Sequence, residues 1–325
     1  MLHPLEHETE RLALSLGRQM VRSFKDAEDL HDAEFGVFSQ WGEDGIIQFL
    51  LRRVAIESRF FVEFGVESYR ESNTRFLLQN DLWAGLILDA GTRHIRFITE
   101  SGLRWRHTID ARSVFITKDN IVDVLLDAGV GADFGLLSID VDGNDYWILR
   151  ALSAFQPRIL IIEYNSLFGA TAAITVPYHS GFWRNQAHPS GLYYGASLAA
   201  LWHEATGRGY QLVGCDSAGV NAFFVRTDVA GDLPSLSPEQ AFIPRQHREA
   251  RGAKAQLTYI SGRHEQLRLI ENMPMVDVVT DDVYELSRHL AIHDPSPERL
   301  TVTGSARAGD DRDPGAVRDS SKADC

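Results

Sequence analysis

Cysteine is nearly missing from these 325 residues: only Cys215 and the terminal Cys325 occur, so a disulfide framework is not expected and a reducing compartment is the simpler reading. No apolar run reaches the about 18 residues that a membrane helix needs. The opening "MLHPLEHETERLALSLG" carries acids and lacks a leader's continuous apolar stretch. Basic residues are the minority charge, 32 against 45 acids, for a formal net charge of −13. A net anion is repelled by nucleic acid and by anionic membranes, so neither is the expected partner. What is plentiful is core material. With 44% hydrophobic residues, the chain can bury one substantial core and a small appendage. A soluble cytoplasmic protein is the expectation.

No internal repeat is visible, and three regions follow one another. Residues 5 to 55 read as helical, from the three-to-four spacing of Leu12, Leu16, Met20 and of Ile46, Ile47, Leu50, Leu51, Val54, with "SQWGEDG" as a polar break. From 60 to 165, short apolar runs such as "RFFVEFGV", "WAGLILDA", "VFITKDN", "FGLLSIDVD" and "RILIIEYN" alternate with helical patterns. That alternation predicts βαβ units and a parallel sheet covered on both faces. A stretch rich in Gly, Pro, Tyr and His, 166–195, then reads as a long irregular loop. After it come a helix, "ASLAALWHEATG", and two strands, "YQLVGCDS" and "NAFFVR", joined by a tight turn over Ser217 to Val220. A hairpin there would make the sheet mixed. The expected layout is an N-terminal helical cap (1–58), a core (59–230) with 166–195 as its lid, a C-terminal extension (231–295) and a disordered tail (296–325).

Ligands of a doubly wound sheet collect at the carboxyl ends of its strands. Here several strands end in acids. The first runs into Glu63, Phe64, Gly65, Val66, Glu67, and the second into Asp89. A carboxylate at the second position suits the ribose hydroxyls of a nucleoside cofactor. Singly, each acid is as well read as a turn residue or a helix cap; in this order they point to a nucleoside. A nicotinamide or flavin pyrophosphate wants G-x-G-x-x-G, and this loop offers one glycine and two glutamates. Such a loop repels a pyrophosphate and suits the cationic sulfonium and amino group of S-adenosylmethionine.

These segments, together with "FSQWGEDGIIQFLL", "FVEFGVESYRESNTRFLLQ", "PRILIIEYN", "YYGASLAAL" and "LVGCDSAGVNAFFVR", resemble the FkbM-like family of class I S-adenosylmethionine-dependent methyltransferases over residues 38–226. The resemblance implies an α/β, doubly wound, mostly parallel Rossmann-like sheet with an antiparallel C-terminal hairpin strand, preceded by N-terminal helices. It implies cofactor contacts at Glu63, Gly65 and Asp89, with Gln40 and Glu43 closing over the pocket. The short E-x-G loop departs from the fuller E/D-x-G-x-G-x-G pattern of many methyltransferases.

The stretch "LLSIDVDGNDYWIL" (136–149) admits three readings. As a calcium loop it fails, because Gly143 comes too early and Ala151 stands where the bidentate Glu belongs. As the D-x-D-G-T nucleophile motif of haloacid dehalogenase-like phosphatases, with Asp140 attacking phosphorus, it has Asn144 for Thr and leaves Glu63 and Asp89 idle. The third reading sets Asp140 and Asp142 beside Glu163 and Asn165 at the end of the next strand, four oxygen ligands for one hard ion such as Mg²⁺. Related sugar and antibiotic O-methyltransferases resemble this arrangement. Asp145 reads as a cap for the following helix.

His179, His188, Tyr178, Trp183, Arg184, Tyr193 and Tyr194 crowd the expected lid, which reads as a substrate wall. His179, then His188, are the candidate bases beside Asp140. The expected function is methyl transfer from S-adenosylmethionine to a hydroxyl of a small molecule, a sugar or natural product, with a homo-oligomer open. The alternatives are the phosphatase and a cofactor-binding protein without catalysis.

Overall fold

The computed structural model describes residues 4–23, 27–247 and 250–293. In chain order the elements are α1 (Pro4–Ser23), α2 (Glu43–Leu51), β1 (Phe60–Phe64), α3 (Arg75–Asn80), β2 (Ala84–Asp89), α4 (Thr92–Glu100), α5 (Leu103–Arg106), β3 (Ile109–Ser113), α6 (Ile121–Asp127), β4 (Leu136–Ile139), α7 (Asp145–Ala151) and β5 (Ile159–Glu163). There follow β6 (Ile174–Thr175), α8 (Arg184–Ala187), α9 (Leu198–Gly207), β7 (Tyr210–Cys215), β8 (Asn221–Arg226), α10 (Pro238–Ala241), α11 (Arg263–Ile270), β9 (Pro274–Asp277), β10 (Val283–Glu285) and α12 (Leu286–His293). No helix among the described residues is long and apolar enough to cross a membrane. The tail expected to be disordered, 296–325, lies outside the described residues.

Seven strands form one sheet in the order β3-β2-β1-β4-β5-β8-β7. β1 to β5 pair in parallel, and β8 runs antiparallel to both its neighbours. The doubly wound, mostly parallel sheet with an antiparallel hairpin strand is therefore the fold. Strand alternation sends side chains to opposite faces. Val62, Leu86, Leu137, Leu160 and Ile162 pack on one face with α6, α7 and α9. Phe61, Ile87, Leu136, Ile159 and Ile161 pack on the other with α2, α3 and α4. The chain leaves β1 in one direction through β2 and β3, then returns to lay β4 on the other side of β1. That reversal point is where open α/β sheets bind ligands.

Two expectations were displaced. The third strand is not "VFITKDN" but the preceding Ile109–Ser113, an edge strand whose Asp110 and Arg112 break the apolar run that a buried strand would show. The stretch 166–195 is not structureless. Leu167, Phe168, Ile174, Val176, Leu192 and Tyr193 share a third core cluster with Ala250, Leu267, Ile270, Met275 and Leu286. β6, β9 and β10 form a small second sheet, which gives Ile174 and Met275 to that cluster.

Candidate active site

Glycine at position 65 is dictated by what lies against it. Its φ is +75°, and a Cβ there would stand 1.6 Å from the Asp140 carbonyl oxygen, so the β1 turn and the β4 turn touch through bare backbone. Glu63, buried, faces the next loop: its carboxylate accepts from the Asn73 amide (2.8 Å), the Thr74 amide (3.2 Å) and the Thr74 hydroxyl. It thereby holds residues 66–74 in place. Asp89 does the same one strand over, with Oδ2 accepting from the Glu67 amide (2.8 Å) and Oδ1 from the Gly91 amide (2.7 Å). His94 Nδ1 also lies 3.1 Å from Oδ1, so Oδ2 is the oxygen that keeps a second lone pair for a ligand.

The β4 turn is built around Asp145. Its carboxylate accepts from the Val141 and Gly143 amides, at 2.8 and 2.9 Å, so it braces the turn rather than making the expected helix cap: α7 begins at Asp145 itself, and the residue at its N-cap is Asn144. The tight turn forces Asp142 to φ +54°, a left-handed conformation that Asp tolerates better than most residues. Its carboxylate is thereby turned back toward Asp140. β4 and β5 are in register, Ile139 opposite Ile162, so Asp140 and Glu163 emerge side by side. One oxygen from each of Asp140, Asp142 and Glu163 lies within 4.8 Å of the other two. Glu163 is 6% exposed, and its Oε2 has no hydrogen-bond partner. Burial pushes Glu163 up to about 8. Burial and the neighbouring Glu163 and Asp142 charges raise Asp140 well above the carboxylate range.

The fourth oxygen ligand foreseen for this cluster is occupied elsewhere. Asn165 donates from Nδ2 to the Leu192 and Tyr194 carbonyls, both at 3.0 Å, and accepts at Oδ1 from the Leu167 amide. Its amide fastens the segment 166–195 to β5, leaving three carboxylates as the cluster.

That segment is clamped onto the β4 turn at four points. Trp147 Nε1 donates to the Val176 carbonyl and Asn144 Nδ2 to the His179 carbonyl, both at 2.9 Å. Gly143 packs against Phe182 so closely that a Cβ would fall 2.2 Å from the ring. Arg184 Nη1 pairs with Asp142 at 3.0 Å. The Arg184 guanidinium lies 3.6 Å over the Tyr194 ring, and Arg245, bonded to the Tyr194 hydroxyl, approaches Glu163 at 3.7 Å. Arg184, expected only as part of the substrate wall, and Arg245, not expected at all, are the cationic partners of the cluster. An arginine within "RNQA" or "IPRQH" carries no signal until the fold brings it to the acids.

The two candidate histidines differ in setting. His179 is exposed, and its Nδ1 accepts from the Gly181 amide. His188 is tied into its own turn, Nδ1 against the Ser190 hydroxyl at 2.8 Å, and burial lowers its pKa. Gln40 is exposed and donates to Glu71. Glu43 is internal, accepting from the Trp41 amide (2.8 Å) and from Asn221 Nδ2 (2.7 Å), so it ties α2 to the start of β8.

Buried carboxyls give the fold an unusual pH response. Burial raises Glu63 from 4.5 to about 7 and Asp216 from 3.8 to about 7. The folded state therefore binds more protons than the unfolded one between those values, and stability falls as pH rises through that window. At about 1.4 kcal/mol per pKa unit, Glu63 alone sets an upper bound of about 3 kcal/mol. Thermal melting is expected to shift down by several degrees between pH 5.5 and 8, with a shallower slope in Glu63→Gln; a rising Tm across that range would refute the assignment.

No protein-family model matches this chain, and no curated protein does. Among solved structures the fold is similar to M. capricolum TrmK in complex with S-adenosylhomocysteine (TM-score 0.37, 11% identity, covering 62% of this chain and 76% of that one). It is also similar to the N-terminal domain of EvdMO1 with S-adenosylhomocysteine bound (TM-score 0.38, 10% identity, 64% and 94% covered). A putative O-methyltransferase from Klebsiella pneumoniae is a third (TM-score 0.36, 15% identity, 69% and 89% covered).

Proposed function

We propose that the protein is an S-adenosylmethionine-dependent methyltransferase that methylates a hydroxyl of a small molecule, a sugar or natural-product scaffold, with a divalent cation at the three-acid cluster. The observation that carries this reading is the contact of Gly65 with the Asp140 carbonyl: it joins the E-x-G turn to the acid cluster at the sheet's reversal point. A cofactor held by the first and a hydroxyl held by the second would be neighbours.

The residues fit both groups. Asp89 retains acceptor capacity at the end of β2, where a ribose would lie, and the Gly65–Glu67 backbone bends through φ +75° and +44° to expose main chain. For the cation, all three donors are carboxylate oxygens, the set a hard ion such as Mg²⁺ takes, and the unpartnered Glu163 Oε2 is a buried acceptor awaiting a positive charge. When bound, S-adenosylmethionine supplies an electrophilic methyl on a cationic sulfonium, and the divalent ion lowers the pKa of a hydroxyl. The chain's own part is positioning. Asp140 would orient the acceptor hydroxyl and take its proton on the carboxylate oxygen turned away from the cluster, as the methyl leaves the sulfonium sulfur for the hydroxyl oxygen; Asp142, Glu163 and the other Asp140 oxygen would hold the cation, and the 177–184 segment would wall off water.

The test is calorimetry with S-adenosylhomocysteine and, separately, with Mn²⁺. The expected results are binding of both, loss of Mn²⁺ binding in Glu163→Gln, and tighter Mn²⁺ binding in Arg184→Met, because the Arg184 guanidinium neutralises Asp142 where the ion would. NAD binding in place of S-adenosylhomocysteine would sink the methyltransferase reading. Phosphate release from an aryl phosphate with magnesium would favour the phosphatase.

A further inference from the structure

The outward face of α1 is apolar where a solvated helix would be polar. Gly17 seats the helix on the protein: a Cβ there would fall 2.7 Å from Val37 and 2.8 Å from Phe76. Glu10 receives Arg75 and Gln79 from α3. Elsewhere around the helix, Leu5, Leu12, Leu16 and Met20 are 64%, 72%, 60% and 38% exposed. Leu5, Thr9, Leu12 and Leu16 are spaced by four, three and four residues, the a/d seam of a coiled coil. Met20 flanks them one position beyond the next seam residue, Gln19. Isolated exposed leucines are ordinary. Four large apolar side chains on one stripe of one helix form a patch that asks for a partner.

We propose that α1 pairs antiparallel with α1 of a second copy of this chain, around a two-fold axis. The charge pattern argues for that occupant and that direction. The first half of the helix carries Glu6, Glu8, Glu10 and Arg11, and the second half Arg18 and Arg22; Glu10 and Arg18 are engaged with α3, which leaves Glu8 and Arg22 as the charges beside the stripe. With Thr9 and Leu16 at a positions, the exposed residues Glu8, Ser15 and Arg22 occupy successive g positions along one edge of the stripe. In an antiparallel pair g faces g, so Glu8 of each copy meets Arg22 of the other, twice by symmetry, with Ser15 against Ser15 at the axis. A parallel pair would set g against e, where Ala13 and Met20 offer no charge. Leu12 and Leu16 interdigitate across the axis as an isologous contact, which closes at two subunits. One helix pair buries less than the about 800 Å² per partner of a standard interface. The dimer is therefore of micromolar strength and weakens with salt.

Sedimentation equilibrium of the full chain from 1 to 100 μM tests this, with circular dichroism melts to confirm that each variant folds. The expected wild-type result is a concentration-dependent dimer. Leu12→Glu with Leu16→Glu should leave a monomer with an unchanged melt. Glu8→Arg, which sets like charges against each other, should weaken the dimer at least tenfold, and adding Arg22→Glu in the same chain should restore it. A wild type that stays monomeric at 100 μM, a dimer that survives the double glutamate variant, or a charge swap that fails to restore association would each overturn the proposal.

Discussion

Asp140→Asn is expected to cut methyl transfer by about a thousandfold while S-adenosylhomocysteine affinity changes less than about threefold. The reasoning runs from geometry. Asp140 follows β4 directly, beside Glu163 and Asp142, and its carboxyl is held well above the usual range by burial and by those two charges. A carboxylate so crowded by like charge is a stronger base than a surface aspartate, and it gains most when a proton or a cation arrives. The amide of Asn keeps the volume and one acceptor but loses the basicity and the charge. The cofactor contacts proposed for Asp89 and the Gly65 turn belong to other strands and are untouched. Transfer of an isotopically labelled methyl group into a small-molecule extract reads the first quantity, and calorimetry the second. A variant that loses cofactor affinity but keeps turnover at saturating cofactor would move Asp140 away from the reacting centre.

Gly65→Ala should lower folding stability by about 4 kcal/mol. Adopting φ near +75° costs an L-residue about 1–2 kcal/mol, and overpacking a close contact costs about 1–3 more. The obstacle is the backbone carbonyl of Asp140, which a rotamer change cannot clear, so β1 and β4 would have to part at the reversal point. Denaturant unfolding measures this directly. A midpoint matching wild type would mean that the β4 turn can shift, and that the proposed cofactor and acceptor sites are not rigidly coupled.

The fold and the acids were legible before the structure because both are written locally. β1, β2, β4 and β5 are short apolar runs, and their acids follow immediately in sequence. The hairpin of β7 and β8 was likewise announced by its tight turn. What was not legible depends on contacts far apart in the chain. β3 alternates polar and apolar residues at a sheet edge, so its signal was lost beside the more apolar "VFITKDN". Asn165 has the chemistry of a ligand, and only the return of Leu192 and Tyr194 gives its amide other work. Glu43 looks like an exposed motif residue until Asn221, far downstream, meets it. Arg184 and Arg245 converge on Tyr194 from either side of it in the sequence, which no spacing rule foretells.

The position of β8 has a bearing on how the molecule comes into being. It is the last strand of the large sheet to be synthesised, yet it lies inside, pairing with β5 along its whole length and with β7 beyond. During synthesis the β5 edge, Ile159–Glu163, waits as an open and strongly apolar strand until residue 226 has left the ribosome. An uncapped edge of this kind is a template for wrong pairing. Chains shortened before β8 should therefore aggregate rather than form a smaller sheet, and Glu163 is completed as a neighbour of Asn221 only in the final stage of assembly.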